Sequence, residues 1–155
     1  MGQTSTQAAI KQRQPFHSAG HEATVSILLT ADLVRRRLAQ AIETHGVTLQ
    51  QFNVLRILRG AGDAGVATLE VADRMVEQTP GITRLLDRLE AKTLVRRQRC
   101  PEDRRQNLCW ITPAGRALLE RVDEPAVRAS EVCMAGLSEA DQQTLLRLLA
   151  QIRGT

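Results

Sequence analysis

The chain has 155 residues, of which 43% are hydrophobic and 25% are charged. This length suits a single globular domain, and this balance argues against a multidomain enzyme, a disordered tail or a fibre. Aromatic residues make up only 2%, so branched aliphatic side chains must fill the core, which favours packed helices. We therefore expect a mainly α-helical protein.

The formal net charge of +4 is concentrated in one segment. Between Thr79 and Arg105 the basic residues outnumber the acidic ones by four, so the rest of the chain is neutral overall. A local basic excess is typical of a surface that binds a polyanion, although a solvated arginine-rich face would have the same composition. The basic residues of this segment are Arg84, Arg88, Lys92, Arg96, Arg97, Arg99, Arg104 and Arg105.

The three cysteines, Cys100, Cys109 and Cys133, are odd in number and irregularly spaced, which argues against a disulfide framework and against a zinc site. No apolar run approaches the ~20 residues of a membrane-spanning helix, and residues 1–23 lack the apolar core of a signal peptide. We therefore expect a cytoplasmic protein that does not contact a membrane and needs neither a metal nor a cofactor.

The polar residues 1–22 are predicted to form a flexible arm before a single domain over 23–155. The spacing of apolar residues predicts a first long helix over 23–45, and Gly46 is expected to stop it.

Capping residues predict the next two helices. The Thr48-x-x-Gln51 pattern is a capping box, which starts a second, shorter helix that ends at about Gly60. Thr68 is expected to cap a third helix that ends at Val76. The apolar residues that this third helix would bury are Leu69, Ala72 and Met75.

The fourth helix is predicted to follow a very short turn at residues 77–78. Thr79 is expected to cap it, and Pro80 suits its first position, where the missing N–H needs no partner. The helix would run to Lys92 with one apolar stripe toward the core, formed by Ile82, Leu85, Leu86 and Leu89.

Two short strands, 94–99 and 108–112, are predicted to form a small hairpin with a charged tip at 101–105. The Thr112-Pro113 pair then opens a fifth helix, and Pro125 inside it predicts a kink or a break near Asp123. The Ser138-x-x-Asp141 capping pattern starts a last helix. Its wide apolar face consists of Leu145, Leu146, Leu148, Leu149 and Ile152.

Two helices joined by a tight turn and followed by a hairpin are the parts of a winged helix-turn-helix. The exposed face of the fourth helix would carry side chains that donate and accept hydrogen bonds, as base edges in the major groove require. The candidate DNA-binding residues of this recognition helix are Gln78, Thr79, Gly81, Thr83, Arg84 and Arg88. An ordinary amphipathic helix with solubilising arginines shows the same pattern, so the hairpin favours the DNA-binding interpretation.

The hairpin tip places two arginines, Arg104 and Arg105, on a narrow protrusion where little can be buried. Such side chains suit the narrow and strongly negative minor groove of DNA. Asp103 would repel DNA directly, so we expect it to orient one of these arginines through a charge-assisted hydrogen bond. Asp103, Arg104 and Arg105 are together the candidate DNA-binding residues of the wing.

Several segments of the chain resemble the MarR family of bacterial transcriptional regulators in residues and in spacing. The resemblance extends over residues 24–153 and is strongest between Leu49 and Leu119. The segments that carry it are Thr83–Lys92, Leu94–Arg97, Pro101–Arg105 and Ile111–Arg116, together with Leu108.

The resemblance implies a homodimer in which each subunit presents one winged helix-turn-helix to half of a palindromic operator in double-stranded DNA. The winged lobe would span 47–112, and the dimerisation helices would span 23–46 and 113–155. It also implies a repressor that a small-molecule effector, or an oxidised cysteine, releases from DNA. No motif marks an effector pocket, and the expected lining lies near His45, Phe52, Arg56 and Trp110.

Dimerisation also follows from the last helix itself, because its apolar arc is too wide for the surface of a monomer. A twofold dimer is the commonest way to cover such a face. The two half-sites would then lie about one helical turn of DNA apart, roughly 10 base pairs.

A redox-responsive regulator is the first alternative function. Cys100 lies beside Arg99, which favours a reactive thiolate, whereas Cys109 and Cys133 suit small buried positions. If Arg99 faces Asn107, then Cys109 faces Arg97, so Cys100 and Cys109 do not pair across the hairpin.

A metal site or an enzyme is the second alternative. His17 and His21 have the i, i+4 spacing of a ligand pair, but they lie in the predicted arm with no further ligands beside them. Catalysis is therefore not expected. The third alternative is a winged helix that binds only protein, which accounts for the fold but not for the two arginines of the wing tip.

Overall fold

The computed structural model describes residues 6–77, 81–101, 103 and 106–154. The chain has two compact units, Met1–Arg37 and Leu38–Thr155. The elements in chain order are α1 Thr6–Ala9, α2 Ala19–Glu43, α3 Leu49–Gly60, a 3₁₀ turn Gly62–Ala64, β1 Val66–Ala67, α4 Thr68–Asp73, α5 Ile82–Ala91, β2 Val95–Arg99, β3 Asn107–Ile111, α6 Pro113–Met134 and α7 Glu139–Arg153. The predicted mainly helical architecture with a small hairpin is confirmed.

The first unit is more helical than the sequence predicts. α2 begins at Ala19 rather than at Ala23, because the Ser18 hydroxyl accepts the backbone N–H of His21 at 3.2 Å and so caps the helix. α1 forms one further turn of helix. The segment 1–22, predicted as a flexible arm, is therefore partly helical. At the other end of α2, Gly46 has a φ of +74°, which suits the predicted stop.

The core of the second unit is aliphatic, as the low aromatic content predicts. α3, α5 and α6 pack around it together with the inner face of the sheet. The Thr48–Gln51 capping box at the start of α3 is confirmed, with both reciprocal hydrogen bonds at 3.2 Å. The large side chains that the core buries completely include Ile42, Leu55, Leu58, Leu86, Leu89 and Leu119.

The sheet has three antiparallel strands in the order β1-β3-β2. The hairpin of β2 and β3 has the expected register, with Arg99 opposite Asn107 and Arg97 opposite Cys109. β1 pairs with the other edge of β3 through Val66 and Ala67. A strand of two residues is too short to show an alternating pattern, so β1 could not be predicted.

The prediction for the third helix is wrong in its length and in the burial of Leu69, whereas the predicted burial of Met75 is confirmed. α4 ends at Asp73, and it buries Val71 and is followed by the buried Met75, whereas Leu69 is 76% exposed. Thr68 does not cap this helix. Its hydroxyl donates instead to the carbonyl oxygen of Asn107 at 3.3 Å, which ties α4 to β3.

The helix α5 begins at Ile82, two residues later than predicted. Gly81 precedes it with a φ of +92°, a conformation that favours glycine and cannot continue a right-handed helix. The predicted cap, Thr79, and Pro80 lie outside the described residues. The predicted apolar stripe is confirmed, because Leu85, Leu86 and Leu89 are buried and Ile82 packs against the core.

The two C-terminal helices have the predicted caps, Thr112 for α6 and the Ser138–Asp141 capping box for α7. The predicted break near Asp123 is wrong, because α6 continues through Pro125 to Met134. Val122 and Ala126 are buried on either side of Pro125, so core packing holds both halves of the helix. No helix in the described ranges is long and apolar enough to cross a membrane.

Two hydrogen bonds of Thr112 join the root of the hairpin to the start of α6. The Thr112 hydroxyl donates to the carbonyl oxygen of Thr93 at 2.7 Å, and the Thr112 N–H donates to that of Leu94 at 3.1 Å. Gly115 lies so close to this junction that a Cβ atom there would collide with the carbonyl oxygen of Leu94. This glycine therefore allows α6 to pack against the root of the hairpin.

We expect Gly115→Ala to lower the free energy of unfolding by about 1–3 kcal/mol, because backbone atoms must move to admit the methyl group. Gly60→Ala is the matched control, since a Cβ at this other helical glycine meets no described heavy atom within 4 Å. This control should be neutral or stabilise by up to about 1 kcal/mol. Urea unfolding followed by circular dichroism compares the two, and equal midpoints would contradict the close packing at Gly115.

Candidate nucleic-acid interface

The helix α5 presents a polar face because its apolar stripe is buried. Gly81, Thr83, Arg84 and Arg88 are all exposed, as predicted for the recognition helix. Gln78 and Thr79 lie outside the described residues. The structure thus brings together the described members of the predicted set on one side of α5, and their contacts with DNA remain a prediction.

The two arginines of this face differ in their surroundings. Arg84 lies in the first turns of α5 and makes no hydrogen bond or ion pair with any residue of the described ranges. Arg88 lies one turn later and lines a cleft beside the N-terminus of α3. Arg84 is therefore the better placed of the two for a base edge, since recognition helices read DNA from their first turns.

A cluster of three charged side chains connects α5 to the hairpin. The Arg97 side chain of β2 donates from Nε to Glu90 Oε2 at 2.9 Å and from Nη2 to the same oxygen at 2.6 Å. Its Nη2 also donates to Asp87 Oδ1 at 2.5 Å, and its backbone N–H donates to Glu90 Oε1 at 3.1 Å. We call Arg97, Glu90 and Asp87 the helix–wing clamp.

The clamp favours the charged form of its arginine. The hydrogen bond with Glu90 raises the pKa of Arg97 above its ordinary value, and this bond outweighs the opposing effect of burial, with Asp87 adding to the increase. No motif in the sequence marks this residue as functional. The alternation of residues along β2 does indicate that Arg97 lies on the same inner face as the buried Val95, where an unpaired charge would not be expected.

The wing tip is closed by hydrogen bonds within the hairpin. The Cys100 N–H donates to the carbonyl oxygen of Gln106 at 2.9 Å, and the Gln106 side chain donates to Asp103 Oδ2 at 3.0 Å. Arg104 and Arg105 lie outside the described residues, so the orienting role of Asp103 toward them stays a prediction.

The outer face of the hairpin carries the single tryptophan of the chain. The guanidinium carbon of Arg96 lies 4.1 Å from the centre of the Trp110 ring, a cation–π geometry. The Trp110 Nε1 donates to the carbonyl oxygen of Asp63 at 3.0 Å. Trp110 therefore connects the hairpin to the turn before β1. It lies on the face of the sheet opposite to the clamp.

An open cleft of about 560 Å³ lies between the start of α3 and the end of α5. Lys92 crosses one end of it, where its Nζ donates to the carbonyl oxygen of Gly46 at 2.7 Å. The cleft does not include the residues expected to line an effector pocket, His45, Phe52, Arg56 and Trp110. Its lining residues are Glu43, Gly46, Val47, Thr48, Gln51, Arg88, Ala91 and Lys92.

The cysteines differ in access. Cys109 is fully buried, and burial raises the pKa of its thiol, with only partial compensation from the Thr68 hydroxyl 3.7 Å away. A buried protonated thiol is a poor redox sensor, so this residue does not support the redox alternative. Cys100 and Cys133 are half-buried.

The histidines of the first unit do not form a metal site with other ligands. His17 and His21 stack with ring centres 5.9 Å apart. Within the described ranges, no group of three or more His, Cys, Asp or Glu side chains could hold a metal ion.

Comparison with known sequences identifies relatives of this chain. The sequence model described as the MarR family matches residues 47–106. A Thauera aromatica protein, assigned as a transcriptional regulatory protein for the hcr operon, is 30% identical over 118 residues. This alignment covers 76% of this chain and 70% of the relative.

Three solved structures are similar over most of their length. A MarR transcription factor from Planctomyces limnophilus is 35% identical with a TM-score of 0.68, covering 88% of this chain and 99% of that one. A mutant Escherichia coli MarR complexed with operator DNA is 27% identical with a TM-score of 0.73, covering 81% and 89%. Bordetella bronchiseptica BpsR, whose DNA binding is regulated by 6-hydroxynicotinic acid, is 25% identical with a TM-score of 0.76, covering 92% and 99%.

Proposed function

This chain belongs to the MarR family of DNA-binding transcriptional regulators, and we propose that it is a homodimeric repressor of a palindromic operator that a small-molecule effector releases. Members of this family are transcription regulators and not enzymes. The observation that carries the proposal is the polar face of α5, which is presented beside a hairpin held by the helix–wing clamp.

In the proposed complex, the first turns of α5 enter the major groove. Thr83 and Arg84 supply a hydroxyl and a guanidinium group for base edges or phosphates, and Gly81 permits a close approach. Gln78 and Thr79 precede them in sequence and extend the same candidate set. Because Arg88 lines the cleft, we assign it a supporting contact only.

The wing is proposed to contact the adjacent minor groove through Arg104 or Arg105. This role rests on the sequence of the tip, where two arginines follow Asp103. The hydrogen bond from Gln106 to Asp103 supports it, because it closes the turn that precedes β3. A narrow minor groove attracts arginine through its enhanced negative potential.

Exposed apolar side chains on the terminal helices support dimerisation. In the first unit, the part of α2 before Leu38 exposes Leu28 by 65%. In the second unit, no residue of α7 is buried, and Leu146 and Ile152 are 59% and 67% exposed. A well-capped helix with no buried face needs a partner surface, and a second copy of the chain supplies one.

The cleft between α3 and α5 is proposed as the effector site. Its volume suits a small molecule, and Arg88 and Lys92 favour a ligand that carries a carboxylate. The effect of 6-hydroxynicotinic acid on BpsR is consistent with this class of ligand. Arg88 belongs both to the cleft and to the polar face of α5, so a bound ligand would act on the DNA-binding helix directly.

We expect specific binding to a duplex from the region upstream of the gene, and Arg84→Ala should weaken it by about 1–3 kcal/mol and relax specificity at one position. Arg128→Ala is the matched control, since Arg128 is an exposed arginine on α6 that pairs only with Glu124 within the described residues. Fluorescence anisotropy with a scrambled competitor measures both.

The salt dependence of the same binding tests the phosphate contacts. If the dimer neutralises ~8 phosphates, log K should fall against log salt with a slope near −7. Equal and weak binding to specific and scrambled duplexes would contradict operator recognition and favour a winged helix that binds protein.

We expect sedimentation to show a dimer that the double variant Leu146→Glu, Ile152→Glu converts to monomers, because two charges would enter the proposed interface. Both side chains are exposed within a single chain, so the substitutions remove no packing from the monomer core. Leu69→Glu places one such charge on the exposed face of α4 and should stay dimeric. A monomeric wild type would overturn the proposed dimer.

We expect 6-hydroxynicotinic acid or a related aromatic carboxylate to release the protein from its operator. Lys92→Met keeps most of the aliphatic stem but removes the charge, and it should raise the half-release concentration about tenfold. Arg128→Ala again serves as the control. Release that is unchanged by Lys92→Met would place the effector elsewhere, and no release by any such acid would contradict an effector of this class.

A further inference from the structure

We propose that Arg97 is a positioning residue for DNA recognition, which holds the wing and α5 in one fixed relative orientation so that they contact DNA as a unit. The inference rests on the proposed function of these two elements. Arg97 itself does not contact DNA in this scheme, and it acts through Glu90 and Asp87.

The geometry of the clamp is specific to an arginine. The guanidinium group uses Nε and Nη2 toward Glu90 while Nη2 also bridges to Asp87 one turn earlier on α5. Glu90 accepts with both carboxylate oxygens, one from the side chain and one from the backbone N–H of Arg97. A lysine has a single donor group and could not reproduce this fork.

The charge balance of the clamp argues against a direct phosphate contact. One guanidinium group faces two carboxylates, so the cluster carries a net negative charge. The Arg97 side chain is only 20% exposed, and its charge is already engaged. The neighbouring Arg96 points to the opposite face of the sheet, where it stacks on Trp110.

The position of the clamp along β2 gives it leverage on the wing tip. The hydrogen bonds of Thr112 hold the root of the hairpin at Thr93 and Leu94. On the other strand, β1 pairs with Leu108 and Cys109, and the Thr68 hydroxyl donates to the carbonyl oxygen of Asn107, so β3 is attached to β1 and α4. Arg97 attaches β2 to α5 three residues beyond the root, and we infer that this contact sets the direction of the tip relative to α5.

The sign of the effect of Glu90→Gln separates positioning from simple electrostatics. Removing a negative charge near a polyanion should strengthen DNA binding if charge alone matters. The substitution also breaks the clamp, because an amide has one acceptor oxygen where the carboxylate uses two. We therefore expect Glu90→Gln to weaken operator binding about tenfold, the effect of losing one charge-assisted hydrogen bond.

Glu70→Gln is the matched control for this charge. Glu70 lies on α4, pairs with Arg74 and takes no part in the clamp within the described residues. Its substitution should leave operator binding equal to or tighter than that of the wild type. If Glu90→Gln strengthens binding as much as Glu70→Gln does, the positioning role is wrong.

Arg97→Lys provides the second test, because it keeps the charge and removes the fork. We expect it to lose operator affinity about tenfold and to leave binding to a scrambled duplex unchanged. Non-specific binding depends on charge and not on the relative orientation of helix and wing. Arg96→Lys, one residue away on the outer face, should retain operator binding to within about twofold.

Two outcomes would overturn the inference and leave the proposed function intact. In the first outcome, the wild type binds its operator specifically and the Arg97→Lys variant binds it with equal specificity. In the second outcome, the Arg97→Lys variant loses binding to the operator and to the scrambled duplex equally, and its active fraction falls. This result indicates partial unfolding. Trp110 fluorescence and circular dichroism report the folding of the hairpin and the helices. A wild type without specific binding would instead contradict the proposed function.

Discussion

Burial of the leucine stripe on α5 is the constraint on which the rest of the interface depends. Leu86 and Leu89 are completely buried, so the helix cannot rotate about its axis without exposing them to water at a cost of about 2 kcal/mol each. This fixes the outward direction of Thr83 and Arg84 before any contact with DNA forms. The polar face is thus a consequence of core packing.

The hairpin depends on the same helix for its direction. Its inner face contributes Val95 and Cys109 to the core, which fixes the register and the side that faces α5. Apolar contacts are not directional, so the tilt of these five-residue strands depends on the backbone pairing of β3 with β1 and on the clamp. The charged clamp supplies directional contacts at the point where the apolar ones end. Arg97 occupies a position of β2 where the alternation of the strand predicts an apolar side chain. Its two acidic partners on α5 explain why an arginine is found there.

The sequence predicts elements whose signals are local. Thr48, Thr112 and Ser138 each cap a helix within one turn, and these three predictions are confirmed. The predicted cap Thr68 is wrong, because its hydroxyl donates to Asn107 on β3 instead. Errors arose where a distant part of the chain decides the outcome. Val71 is buried and Leu69 is exposed because of the neighbours that pack on α4, and α6 tolerates Pro125 because the core holds both sides. The helix–wing clamp joins residues seven and ten positions apart, a pairing that only the fold reveals.

The location of the cleft explains how a ligand could influence DNA binding without a long pathway. Arg88 lines the cleft and also belongs to the exposed face of α5, one turn from Arg84. Lys92 is the C-cap residue of the same helix, and it donates to the carbonyl oxygen of Gly46 in the loop between α2 and α3. A ligand that draws either cation toward itself would change the C-terminal half of α5, one turn from Arg84. Because coupling between two sites is reciprocal, DNA that holds Arg88 in place would weaken the ligand by the same factor.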